Sequence, residues 1–273
     1  MSVSLFLADR DLIEHLGVPL SREKLGETLQ PQDTIRLTGD EARHIATVFR
    51  AKVGEVIDVC DGQGVVVRCE VLAGVSKNSV ELLVLEVNTR PRRAPAFALV
   101  QGLAKGGRDE QAVETATELG VDQIIPWQAG RSVSVWADAK RAEKGRGKWQ
   151  EVARASSKQS RRAYVPEVLP AMDTKALAEW INDEVKAGAV AIILHEEASE
   201  SLTSTLRKLP GGLGETVPKI IVVIGPEGGI GIDEQRVLEV QGCVSAKLGE
   251  NILRTSSAGP AALVVSWTVL GLW

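Results

Sequence analysis

The chain has 273 residues, is 44% hydrophobic and 25% charged, and carries a formal net charge of −4. That balance excludes an intrinsically disordered chain and leaves room for two domains with cores of their own. Residues 1–10 lack both a basic stretch and a long apolar run, so neither a secretory leader nor a membrane span is expected and the protein is placed in the cytoplasm.

Residues 1–88 read as β-rich, with apolar runs at 34–37, 55–60, 65–72 and 80–87 and one short helix over 40–49. Asp61-Gly62-Gln63-Gly64 is a hairpin signal between two of the runs. Short strands around one helix predict a small β-barrel, a form that commonly binds RNA. Residues 89–96 hold two prolines and three arginines and break the pattern, which marks them as a linker.

From 97 to 273 the period changes. A strand over 97–101 precedes a helix over 108–119, whose Ala112, Val113, Ala116 and Leu119 share one face and whose stop is Gly120. A strand at 121–126, a helix at 148–159, a strand at 189–194, a strand ending at Ile224 and a final helix at 261–272 follow. Alternating strands and helices predict an α/β domain with a mostly parallel sheet covered on both faces. Two loops close this pattern, Gly225-Pro226-Glu227-Gly228-Gly229 and residues 248–260, and Asp233 offers an N-cap for a helix after the first. Loops of this kind at the carboxyl ends of parallel strands are where open α/β sheets bind ligands.

The first loop is a poor phosphate cradle, because Pro226 has no N–H to donate and Glu227 brings a like charge. A nucleoside with a cationic centre suits it better. Cys60, Cys69 and Cys243 lack metal spacing and His15, His44 and His195 are scattered, so no metal site is expected and the cysteines read as buried. His195 reads as a strand-end histidine satisfied by backbone rather than a base, Trp267 as core, and Trp149, beside Lys148, as a candidate for base stacking. Between residues 131 and 162 ten basic side chains face three acidic ones, an excess of seven that marks phosphate binding.

Taken together, Ile224-Gly-Pro-Glu-Gly-Gly229, Leu248-Gly249, Ile252-Leu-Arg-Thr255, residues 117–126, Arg131-Ser-Val133 and Gln159-Ser160 resemble the RsmE family of SPOUT-class RNA methyltransferases. The resemblance spans nearly the whole chain, since residues 44–62 also look like that family's PUA-like N-terminal domain. It implies methylation of N3 of a uridine in 16S rRNA of the small ribosomal subunit, S-adenosylmethionine as cofactor, a trefoil knot over roughly 190–273 and a homodimer with the pockets at its interface. By position, the cofactor would lie against Leu194, His195, Glu196, Ile224, Gly225, Pro226, Gly228, Gly229, Leu248, Gly249, Asn251, Ile252 and Leu253.

The same resemblance puts Arg254, Thr255, Ser256 and Glu227 at the chemistry, with Arg254 stabilising charge on the uracil oxygens and Thr255 and Ser256 orienting the base. Arg10, Arg43, Arg50, Arg108, Arg131, Lys158, Gln159, Ser160, Arg161 and Arg162 would meet RNA. Where many members have an acidic residue shortly after Leu-Arg-Thr, this chain has Ser256-Ser257. Two alternatives are a SPOUT ribose 2′-O-methyltransferase, which would carry a Ser-Leu-Asn-Val-Ser run in place of Leu253-Arg-Thr-Ser-Ser257, and a non-catalytic ribosome assembly factor of the same fold.

Overall fold

The computed structural model describes residues 3–72, 76, 78–209 and 217–273, and they form two compact units, one of Met1–Arg92 with Ser157–Val165 and one of Arg93–Ser156 with Pro166–Trp273.

The first unit is a seven-stranded mixed sheet. Its strands are β1 (Ser4–Leu7), β2 (Leu12–His15), β3 (Val18–Leu20), β4 (Thr34–Thr38), β5 (Val56–Cys60), β6 (Val65–Val71) and β7 (Ser79–Thr89), in the order β1-β5-β6-β7-β4-β2-β3. β5 and β6 form the hairpin expected around Asp61–Gly64, with Gly62 and Gly64 at φ +76° and +114°, where glycine is strongly favoured. The expected helix at 40–49 is α2 (Asp40–Arg43) running into a π-helical turn, His44–Phe49. A four-residue helix, α1 (Leu25–Thr28), precedes β4. Inward side chains from the strands and both helices, among them Phe6, Ile13, Leu25, Ile35, Ile45, Ile57 and Leu82, share one core. β1, β2 and β3 are three or four residues each, too short for an alternating pattern to stand out in the sequence.

Residues 157–165 complete this unit. Ala163 packs with Leu5, Leu7, Cys60 and Val66, Arg92 stacks 4.5 Å from the Tyr164 ring centre, and the Tyr164 hydroxyl donates to the Arg90 carbonyl at 2.6 Å.

The second unit is built on a parallel sheet of β8 (Ala96–Gly102), β9 (Gln123–Gln128), β10 (Glu167–Val168), β11 (Met172–Asp173), β12 (Val190–Leu194), β13 (Lys219–Ile224) and β14 (Val244–Ala246). The order is β10-β9-β8-β13-β12-β14, with β11 also on β9. Its helices are α3 (Arg108–Leu119), α4 (Ala139–Gln159), α5 (Thr174–Lys186), α6 (Leu202–Arg207), α7 (Ile232–Val240) and α8 (Thr255–Val269), with the last three residues of α4 counted in the first unit.

Successive β13 residues alternate between two cores, which is why the strand reads as an unbroken apolar run. Ile220, Val222 and Ile224 join Phe97, Leu99, Val113, Leu263 and Trp267, while Ile221 and Val223 join Trp127, Leu177, Ile181 and Leu238. Trp149, proposed above for base stacking, is 1% exposed and packs edge-on to Trp136 in the first of these cores, so it is not available to a nucleotide.

Two helix starts differ from expectation. α7 is capped by Gly231 rather than Asp233, and α8 begins at Thr255, six residues before the expected 261. Gly259-Pro260 reads as a breaker in the sequence, yet Pro260 falls in the second turn of α8 and costs only the one N–H that would reach back to Ser256.

Candidate active site

β8, β13 and β12 are adjacent in the sheet, and their carboxyl ends open into a cleft of about 650 Å³, a size that suits a nucleoside-sized ligand. One wall is the loop after β13. Gly229 has φ +73° and donates its N–H to the Pro226 carbonyl at 2.9 Å, and a side chain on Gly228 would put its Cβ 2.8 Å from the Arg131 carbonyl. Pro226 has no N–H, and the N–H groups of Gly229 and Gly231 are held by Pro226 and Glu234. Two of this loop's N–H groups are therefore held internally and Pro226 contributes none, which leaves fewer donors for a phosphate.

Glu227 Oε1 accepts from the Lys105 backbone N–H and from Arg108 Nη1, both at 3.2 Å. It is thus paired to Arg108 and not to Arg254. The loop that carries these two donors is fixed by Asp109, which accepts from the backbone N–H groups of Ala104 at 3.2 Å and Glu110 at 2.9 Å. Burial raises the Asp109 carboxyl above its ordinary range, against the pull of those N–H groups.

The opposite wall is the segment entering α8. Ile252, Leu253, Arg254 and Thr255 line the cleft. Arg254 caps α8 through its carbonyl, which accepts from Ser257 and Ala258 at 2.8 and 3.0 Å, while its guanidinium has no ion-pair or hydrogen-bond partner among the described residues. Thr255 has a different role from the one expected. Its hydroxyl donates to the Gly225 carbonyl at 2.7 Å and accepts from Gln101 Nε2 at 2.7 Å, so it is held within the protein and is not aimed at a base. Ser256 is buried beside it and does not line the cleft. Gln101 is invisible in sequence, because nothing links it to a residue 154 positions away.

The third wall is the end of β12. Leu194, His195 and Glu196 line the cleft together with Glu197, and His195 Nδ1 accepts from the Glu197 backbone N–H at 3.3 Å, which leaves the proton of a neutral ring on Nε2. Ile224, Gly225, Pro226, Gly228 and Gly229 line it as well. Leu248, Gly249 and Asn251, grouped with them by resemblance, do not: Leu248 packs on the core and the other two are exposed. Arg108 and Arg131 add cationic groups to the lining, and Arg131 Nη1 reaches the Gly228 carbonyl at 3.4 Å.

The remaining residues assigned to RNA lie in the first unit. Arg10, Arg43, Arg50, Gln159 and Arg161 are exposed, Ser160 and Arg162 half-buried, and Arg50 and Arg161 sit in left-handed backbone at φ +58° and +56°. Lys158 is committed elsewhere: its ammonium lies 2.8 Å from both Glu41 oxygens and 2.6 Å from His44 Nδ1. The basic stretch is also partly neutralised in place, since Arg141 pairs with Asp138, Arg146 with Glu143 and Lys148 with Glu110.

Comparison with known proteins gives the same picture. The RNA methyltransferase domain family matches residues 92–267 and the RNA methyltransferase PUA domain family matches residues 37–85. The chain is 38% identical over 235 residues to ribosomal RNA small subunit methyltransferase E of Mycobacterium bovis, covering 86% of each. It is 34% identical to the Bacillus subtilis protein of that name, covering 87% of this chain and 91% of the relative. Among solved structures, the Neisseria gonorrhoeae ribosomal RNA small subunit methyltransferase E bound to S-adenosylmethionine is similar at a TM-score of 0.74 and 26% identity, over 89% of this chain and 95% of that one.

Proposed function

Because this chain belongs to the RNA methyltransferase family represented by ribosomal RNA small subunit methyltransferase E, we propose that it methylates N3 of one uridine in 16S rRNA of the small ribosomal subunit, with S-adenosylmethionine as methyl donor. The observation that carries the proposal is a cleft walled by the Gly225–Gly229 loop with Arg254 at its lining, whose guanidinium has no partner among the described residues.

The residues present fit the donor. Gly225, Gly228 and Gly229 line the cleft with main chain, the Glu196 and Glu197 carboxylates can accept from ribose hydroxyls, and Arg131 suits a carboxylate. Bound there, S-adenosylmethionine supplies an electrophilic methyl group on a sulfonium. The protein's share is placement and charge: Arg254, always protonated and fork-shaped, faces the negative charge that spreads over the uracil oxygens as N3 loses its proton. Glu227, locked to Arg108, shapes the loop. No carboxylate follows Leu253-Arg-Thr in this chain, so no acidic side chain there can take the proton.

The first unit, with Arg10, Arg43, Arg50 and the 159–162 turn, is the RNA-docking module of this reading; along the chain, residues 1–88 are the RNA-binding segment, 89–96 the linker and 97–273 the catalytic segment, apart from residues 157–165, which fold with the first unit. The family resemblance further implies a knot over 190–273 and a cytoplasmic enzyme. Ile232, Ile252 and Leu253 line the cleft yet are 55%, 78% and 41% exposed, apolar surface that supports a homodimer closing over the pocket.

Nucleoside mass spectrometry of small-subunit rRNA from cells lacking the gene tests the proposal. Loss of one 3-methyluridine is the expected result; loss of a ribose methyl, or no loss, refutes it.

A further inference from the structure

Gln101, at the end of β8, is fully buried, and its Oε1 has no hydrogen-bond partner among the described residues. A leucine there would avoid burying an unpaired oxygen, so the amide is out of place as mere filling. Its Nε2 is what connects. It donates to the Gly102 carbonyl at 3.1 Å and to Thr255 Oγ1 at 2.7 Å, and Thr255 passes the chain on to the Gly225 carbonyl at 2.7 Å. These bonds tie the end of β8, the start of α8 and the loop after β13. The end of β8 and the loop after β13 are already in near contact: a Cβ on Gly102 would lie 2.5 Å from Pro226 N.

We propose that Gln101 is a positioning residue of the cleft, a clasp that acts through the Thr255 hydroxyl to fix the spacing between the Gly225–Gly229 loop and Arg254. The inference rests on the reading that the cleft takes S-adenosylmethionine, and it assigns Thr255 to the same clasp. A side chain of similar size without the amide, or Val at 255, leaves the loops unlinked.

Two measurements on the full chain test it. Calorimetry with S-adenosylmethionine alone should show binding weakened at least tenfold in Gln101→Leu and in Thr255→Val, no further loss in the double variant, and recovery of most of the affinity in Thr255→Ser. Hydrogen exchange without ligand should show the amides of Gly225 and of residues 227–230 exchanging at least tenfold faster in Thr255→Val, with those of α5 unchanged. Unchanged exchange in Thr255→Val, single variants that bind like the wild type, or losses that add in the double overturn the clasp. If Gln101→Leu does not fold, Thr255→Val and Thr255→Ser decide. A wild type that gives no heat of binding overturns the cofactor reading instead, and exchange alone then judges the clasp.

Discussion

The charge-stabilising role is proposed for Arg254 because it is the cleft's arginine without a partner among the described residues, whereas Arg108 is held by Glu227 and Arg131 reaches a backbone carbonyl. A donor aimed at developing charge is worth about 10²–10³ in kcat. Arg254→Ala should therefore lower single-turnover methylation by roughly that factor while calorimetry finds S-adenosylmethionine affinity within about twofold of wild type. A matching loss of affinity would make it a cofactor ligand. Arg108→Ala, by contrast, frees Glu227 and should weaken cofactor binding and turnover together. Arg254 was legible as a charged residue in a recognisable motif. Gln101 was not, because its partner is remote in sequence, and neither were the internal bonds of Thr255, because spacing does not reveal where a hydroxyl points.

At the scale of elements, the loop holding Arg131 is set by a packing contact. Trp136 lies over α4, where a Cβ on Gly145 would come 2.3 Å from its ring, and the Trp136 backbone N–H donates to Gln128 Oε1 at 2.8 Å. Gly to Ala inside a helix ordinarily stabilises by about 1 kcal/mol. Here the sign should reverse: Gly145→Ala is expected to lower stability by about 1–3 kcal/mol in urea unfolding, through displacement of Trp136 from its packing on Trp149. A stabilised variant would show the indole free to move. The alternating elements from 97 onward were legible because both sheet faces are covered, and α3 was bounded at 108–119 by its own periodicity and Gly120. Helix starts were less so: at α8, Gly259 is there because Leu99 leaves no room for a Cβ, 2.9 Å away, and not because the chain turns.

For the molecule as a whole, Cys60, Cys69 and Cys243 report on packing in both units, since all three are buried and burial pushes each thiol from 9.0 up to about 12. A thiol raised in the folded state favours folding fully below the unfolded value and loses that contribution as pH climbs toward the folded one. Stability should thus hold to about pH 9 and fall between there and 12, with the fall reduced in cysteine-to-alanine variants. At pH 8 a thiol reagent should find all three cysteines only after denaturation; rapid labelling of the native protein would mean a looser core. Purified protein is incubated with S-adenosylmethionine and small subunits from cells lacking the gene, and the rRNA nucleosides are resolved by mass spectrometry. 3-Methyluridine should appear with the wild type and form about a hundredfold or more slowly with Arg254→Ala; a methylated ribose, or 3-methyluridine made equally fast by both proteins, would contradict the assignment.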